Sequence, residues 1–313
     1  MDISSPVHPF ALSIHQEISI RQALAARNLR LELDGIPRTL WGRETVFQLD
    51  PASIQLSRWS DFSFEVLSTA YRDILMASVA PPVGVRQAPA QIKDTDSIRH
   101  MFQQHLAPRL KNPIDKGLEI LRDRLRSPVK AVEVVPEHRL VRNRKSAITF
   151  RDEHSGNLLV VSCVLHASTW RSSALLLPAD EYTLLPICRI ATNCLFSNTR
   201  YGFILSTDEV VVVRVSGTPG ETGLSDSCLV EWQSVPWSAE GSGVLTVAMA
   251  LFCLAMMSLH PQHQSVCPPG AARPLNFWWR SQSPVRAPTY AHHLSLQEFH
   301  LPAGAAVEDW RPM

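Results

Sequence analysis

The chain has 313 residues, 45% of them hydrophobic, enough for a full core and for at most about two domain-sized units. Its formal charge of +1 excludes recognition of nucleic acid or an anionic membrane through net charge, so any such partner must be met by a local patch. Six cysteines, Cys163, Cys188, Cys194, Cys228, Cys253 and Cys267, form no CxxC pair and no zinc-finger spacing with histidine. Most stand in apolar runs, which reads as buried free thiols of an intracellular protein and not as a disulfide framework.

From the N-terminus, Met1–Ile20 carries Pro6, Pro9, two histidines and Glu17 where a secretory signal needs an unbroken apolar core. An intracellular location is expected, with cytoplasm and nucleus indistinguishable. Phe64, Leu67, Tyr71, Ile74 and Leu75 predict a helix over 63–77, which the stretch Pro81–Pro89 then ends. Residues 1–90 therefore read as an N-terminal region and linker ahead of a core at 91–260.

In that core, Thr95 or Asp96 caps a helix with Ile98, Met101, Phe102 and Leu106 on one face, and Pro108 stops it. Asn112-Pro113 starts a second helix whose Ile114, Leu118, Leu121 and Leu125 point inward. Strands follow at 129–135, 145–151 and 158–165, the last two joined by the turn cluster Asp152-Glu-His-Ser-Gly156. A helix with Pro186 in its first turn runs to Phe196. The runs Tyr201–Leu205 and Val210–Val215 flank a turn and form a hairpin, its valines predicting burial on both faces.

Val244–Leu259 has no charged residue but would rise only about 24 Å as a helix, short of the roughly 30 Å hydrocarbon core. With no Lys or Arg anchors beside it, it reads as a buried helix, and a membrane is not expected as a partner. Beyond His260, eight prolines in 53 residues leave no room for a long element. The tail 261–313 is expected to be disordered or draped over the core.

Several phrases carry a resemblance: Leu185-Pro-Ile-Cys-Arg-Ile-Ala-Thr-Asn-Cys194, Arg200-Tyr-Gly-Phe-Ile204, Val211-Val-Val-Arg-Val215, Val235-Pro-Trp237 and Leu245–Met257. In this order and spacing, over roughly residues 95–260, the chain resembles a family of uncharacterised filamentous-fungal proteins whose core is similar to PD-(D/E)xK nucleases. The resemblance implies an α/β (α+β) fold, a mixed central sheet flanked by helices with a restriction-endonuclease-like core. The order of predicted elements, helix, three strands, helix, two strands, is that of the same core.

Such a nuclease needs a carboxylate on its second strand and a carboxylate and a lysine two residues apart on its third. Hard Mg²⁺ takes oxygen ligands, and the lysine orients water and stabilises developing phosphate charge. Here Lys145-Ser-Ala-Ile-Thr-Phe150 resembles the family's Pro-Asp strand with Ser146 at the aspartate. A hairpin turn centred on His154 then sets Ser146 close to Ser162. The segment Ser162-Cys-Val-Leu-His-Ala-Ser168 stands where the family shows Gly-Asp-Thr-Lys, so Ser162, Cys163 and Val164 are neutral as well. Metal-dependent cleavage is not expected, and no cofactor is implied.

Glu119 on the second predicted helix is the one candidate ligand, since such folds often supply a helical carboxylate, although Lys116, Arg122 and Asp123 suggest surface pairing. Asp152 and Glu153 read as a solvated turn, and His166 as a satisfied histidine at a strand end. GxSxG, HExxH, GxxxxGK[ST] and GxGxxG motifs are all missing. From Arg109 to Lys145 there are eleven Lys or Arg against five Asp or Glu, densest at Arg139, Arg142, Arg144 and Lys145, a candidate phosphate-contacting patch without interleaved aromatics. The expected role is non-catalytic binding or scaffolding, with nucleic acid or another protein as partner. The rival readings are an Mg²⁺-dependent nuclease with relocated carboxylates and an accessory protein tethered by the 244–259 helix.

Overall fold

The computed structural model describes residues 17–33, 49–82, 90–140, 145–177, 181–218, 227–281 and 287–310. In chain order they form β1 (Ile18–Ser19), α1 (Ile20–Ala25), β2 (Leu31–Leu33), β3 (Ile54–Arg58), α2 (Phe64–Ala70), α3 (Arg72–Met76), β4 (Ser78–Val79) and β5 (Ala90–Ile92). Next come α4 (Thr95–Met101), α5 (Ala107–Leu125), β6 (Val132–Arg139), β7 (Lys145–Asp152), β8 (Leu158–Val164), α6 (Glu181–Phe196), β9 (Tyr201–Leu205), β10 (Glu209–Gly217) and β11 (Cys228–Pro236). The last elements are α7 (Val247–Ser258), α8 (Pro261–Gln264), β12 (Phe277–Ser281), β13 (Thr289–His292), β14 (Glu298–Phe299) and β15 (Ala306–Asp309).

Seven strands build one mixed sheet in the order β3-β11-β10-β9-β8-β7-β6. β6, β7 and β8 are an antiparallel meander. β9 lies parallel to β8, which demands a crossover, and α6 supplies it. β10 pairs antiparallel with both β9 and β11, and β3 joins the edge parallel to β11. All five strands expected in one sheet are in it, the first displaced from 129–135 to Val132–Arg139.

Alternation along the central strands sorts their side chains into two dry layers. Tyr201, Phe203, Leu205, Val210 and Val212 join the core that holds α5 and α7, whereas Ile204, Val211, Val213 and Val215 join the core that holds α6. Every valine of β10 is fully buried, because helices cover both faces. The face under α6 approaches closely at Gly202, where a Cβ would stand 2.9 Å from Ile190 Cγ1 and 3.1 Å from the Val161 carbonyl oxygen. Gly202→Val is therefore expected to lower stability by about 1–3 kcal/mol, because the backbone oxygen cannot give way. Urea unfolding would measure this, and a loss under ~0.5 kcal/mol would show that α6 shifts freely over the sheet.

The uncharged segment 244–259 forms α7, capped by the Thr246 side chain accepting from Met249 N at 3.1 Å. All twelve residues of α7 are buried between α5 and the sheet. Among the described residues no helix is long and apolar enough to cross a membrane. The tether reading is corrected accordingly, since α7 spends its apolar surface on the core.

Four further expectations are corrected. Pro108 does not stop the first core helix: α4, a π-turn at Phe102–Leu106 and α5 form one rod, with Pro108 just inside α5 and Pro113 within it. The wide π-turn leaves room for the Pro108 ring, which would clash in an unbroken α-helix. The cap is Asp94, whose carboxylate accepts from Ser97 N at 2.7 Å. The predicted 63–77 helix breaks at Tyr71 into α2 and α3, with Leu67, Tyr71, Ile74 and Leu75 still buried. α6 starts at Glu181, so Pro186 sits inside it, and the carbonyl to which it cannot donate is that of Tyr182, an exposed residue in the first turn.

The N-terminal region is not set apart from the core either. β3 extends the main sheet, and Trp59, Phe62 and Tyr71 lie in the principal core. Helix α1 is tied down by Arg109 of α5, whose guanidinium donates to the carbonyls of Ala23, Leu24, Ala26 and Arg27 and to Asn28 Oδ1. A cation thereby satisfies the orphan carbonyls of a helix C-terminus, and burial lowers it to about 10. The linker at Pro81–Pro89 lies outside the described residues from 83 on. Finally, the tail is folded: β12–β15 make a four-stranded sheet in the order β14-β13-β12-β15, with Leu275 and Leu294 in the main core.

Candidate functional site

Ser146 on β7 and Ser162 on β8 meet, as a turn centred on His154 requires, and both are fully buried. Their hydroxyls are committed to the backbone. Ser146 Oγ accepts from Ser162 N at 2.9 Å and lies 2.9 Å from the Ile148 oxygen and 3.1 Å from the Ser162 oxygen. Ser162 Oγ accepts from Ile148 N at 2.9 Å. The reason is a bulge: the registered pairs of β7 and β8 are Phe150 with Val160 and Arg151 with Leu158, with a shift between them. Past Phe150 no further pair is in register, and two serine hydroxyls take up Ile148 N and Ser162 N in place of carbonyl oxygens.

Neighbouring positions offer no alternative. Cys163 packs in the layer under α6, and burial raises its thiol to about 12 despite Arg189. Val164 packs in the opposite layer. The site is thus neutral, dry and hydrogen-bonded, a donor set that hard cations do not select. Among the described residues, no group of three or more His, Cys, Asp or Glu could hold a metal ion.

The structure also separates the other candidates from this site. Glu119 is exposed on α5 and takes Lys116 Nζ at 2.8 and 2.9 Å, the surface ion pair that its neighbours in the sequence suggest. Asp152 is buried and not solvated: burial raises its carboxyl, but Ser155 Oγ and the N–H groups of His154 and Ser155 outweigh this and hold it below the usual range. Its role is to close the β7–β8 turn. His166 is satisfied on one side only. Nδ1 meets Ser168 Oγ at 2.8 Å and Ser168 N at 3.2 Å, while the buried Nε2 has no partner among the described residues. Burial lowers its pKa, against the opposing pull of Asp208.

In the basic patch, Arg142 and Arg144 lie outside the described residues. Arg139 and Lys145 are placed by backbone as the paired ends of β6 and β7. They stand at the edge of the sheet where β3, β8, β9 and β11 also end and β10 begins. Towards the other end of that edge, three to six strand spacings or about 14–29 Å away, lies a depression of about 260 Å³ lined by Arg58, Arg171, Ser172, Glu209 and Trp232.

No family model, curated protein or solved structure matches the chain. The site is therefore read from its own chemistry. In the depression, Arg171 pairs with Asp208 at 2.7 Å, and Glu209 accepts from Ser172 N at 2.7 Å and Ser172 Oγ at 2.6 Å. The Arg58 guanidinium stacks 4.2 Å above the Trp232 ring. Sequence reasoning missed this grouping because its members come from β3, β10, β11 and the loop after β8, with no local motif to join them.

Proposed function

We propose that this chain is a non-catalytic nuclease-like protein that binds or scaffolds a partner. The observation that carries the reading is the pair Ser146 and Ser162: where the nuclease-like core would require metal-binding carboxylates, two buried hydroxyls are hydrogen-bonded to the backbone between β7 and β8. Support for the restriction-endonuclease-like part comes from the element order. Helix α5, the β6-β7-β8 meander, helix α6 and strands β9 and β10 enter one mixed sheet in the sequence that the resemblance implies.

Two assays test it. With Mg²⁺ or Mn²⁺ the purified protein is expected to cleave neither plasmid nor single-stranded DNA above the level of a Glu119→Ala control. Cleavage that this substitution abolishes would overturn the reading in favour of relocated carboxylates. The partner class follows from titrating duplex and single-stranded oligonucleotides at two salt concentrations. Phosphate contacts by Arg139, Arg142, Arg144 and Lys145 predict steep weakening with salt, and replacing all four by alanine removes up to about four contacts' worth of the slope. No binding at low salt assigns the role to a protein partner.

A further inference from the structure

Four imidazoles meet beneath the C-terminal sheet. His260 follows α7, His263 lies in α8, His292 ends β13 and His293 comes next; none is more than 7% exposed. Ring centroids stand 4.5 Å apart for His260 and His263, 4.9 Å for His263 and His293, and 5.0 Å for His292 and His293, so the four form an unbroken chain. Phe277 and Trp278 of β12 set their rings edge-on against His293 and His292 at 5.5 and 4.9 Å.

Three of these rings use Nδ1 as an acceptor. His260 accepts from Gln262 N at 3.2 Å, His263 from Arg200 Nη1 at 3.0 Å, and His292 from Leu294 N at 3.2 Å, while Nε2 of His292 donates to the Leu275 oxygen at 2.8 Å. A proton on any of those Nδ1 atoms would set two donors face to face. His293 is buried with neither nitrogen in a well-formed hydrogen bond among the described residues, and the Leu275 carbonyl favours a charge there less than burial opposes it.

The charged groups around the chain add to the penalty. Arg200 comes from the segment before β9, Arg214 from β10 and Arg273 from the segment before β12. The carboxylates on that side are committed elsewhere, Glu231 to Arg214 and Asp61 to Leu275 N. Burial first, then Arg200, lowers His260 to about 4; burial lowers His292 to about 4 and holds His263 and His293 far below the ordinary range.

We propose that this histidine chain is an acid-sensitive latch, holding the C-terminal sheet on the core while the rings are neutral and releasing it when they take up protons. What is released is the layer β12–β15 with its anchors, Leu275 and Leu294 in the core, Ser295 Oγ on the Ala70 oxygen and Gln297 Oε1 accepting from Asp73 N at 3.2 Å. Docking is at full strength above about pH 6.5, the value of a free histidine, and weakens as pH falls towards 4. A ring that titrates at about 6.5 when released contributes up to about fivefold to the ratio of released to latched protein between pH 6.5 and 5.5, so four rings shift it by up to about 10³-fold.

Hydrogen exchange on the full chain at pH 7.5, 6.5 and 5.5, corrected for intrinsic rates, tests this. Amides of β12, β13 and β15 are expected to lose protection steeply below pH 6.5 while those of β9 and β10 keep theirs. In the double variant His263→Gln, His293→Phe, the pH dependence of the C-terminal amides should shrink by up to about 30-fold over that unit. Should that variant fail to fold at pH 7.5, His293→Phe alone, an aromatic beside Phe277, should shrink it by about fivefold. The latch is overturned if C-terminal protection survives at pH 5.5, if β9 and β10 are lost in step with it, or if a folded variant keeps the wild-type pH dependence.

Discussion

Replacing Ser146 by alanine is expected to destabilise the protein by about 2 kcal/mol, although the change removes one oxygen atom. That oxygen is the partner of Ser162 N, and a buried N–H left unpaired costs about 1–3 kcal/mol. Its hydroxyl hydrogen, shared between the Ile148 and Ser162 oxygens, is lost as well. Ser162→Ala should cost a similar amount by orphaning Ile148 N. Because both hydroxyls close one gap, the double variant should fall short of the sum. Thr149→Val is the control: Thr149 is equally buried on β7, but its hydroxyl reaches only the Val135 oxygen at 3.5 Å, so the loss should be small. Urea unfolding at pH 7 reads all four. If Ser146→Ala and Ser162→Ala both stay within ~0.5 kcal/mol of wild type, the hydroxyls are not bridging the strands and are free for other partners.

The strand register that brought these serines together was readable because a turn cluster and two apolar runs fix it from within twenty residues. Val210–Val215 was readable for a different reason, since four consecutive valines suit only a strand covered on both faces. β3 was hidden because only Ile54 and Leu56 alternate with polar residues, too few to outweigh the turn signals around them. In β11 the alternation Val230-Glu-Trp232 is present but follows a Gly- and Thr-rich stretch whose turn signals outweigh it. The rod through Pro108 depends on a π-turn, for which the sequence has no periodic signature. The C-terminal sheet uses strands of two to five residues, below the length at which periodicity speaks, and prolines masked it. The histidine chain joins positions about thirty residues apart, and only the docking of that sheet makes them neighbours.

Arg214→Met carries the largest expected effect of a single substitution, about 3–5 kcal/mol at pH 7, through the carboxylates it would strand. Arg214 is 5% exposed on β10 and stands in register with Glu231 of β11. Its Nε and Nη2 donate to the two oxygens of Glu231 at 2.6 and 2.7 Å, Nη1 donates to the Arg273 oxygen at 2.7 Å, and the guanidinium lies 4.9 Å from the Trp59 ring centroid. Methionine fills much of the same volume, so the loss is one of charge and hydrogen bonds and not of packing. Asp61 sharpens the test: burial raises its carboxyl, offset in part by Leu275 N and Arg214, and Glu231 pushes it further up. Without Arg214 that carboxyl rises again, and a carboxyl raised in the folded state regains stability as pH falls through its folded value. The penalty of Arg214→Met, referred to wild type at each pH, should therefore shrink between pH 7 and pH 5. The double variant Arg214→Met, Glu231→Leu removes the stranded partner and should recover most of the loss, since an apolar pair of similar volume replaces a buried ion pair at little cost. If the double variant is as unstable as the single one, the damage lies in the packing around Trp59, and the buried ion pair is not what holds β10 to β11.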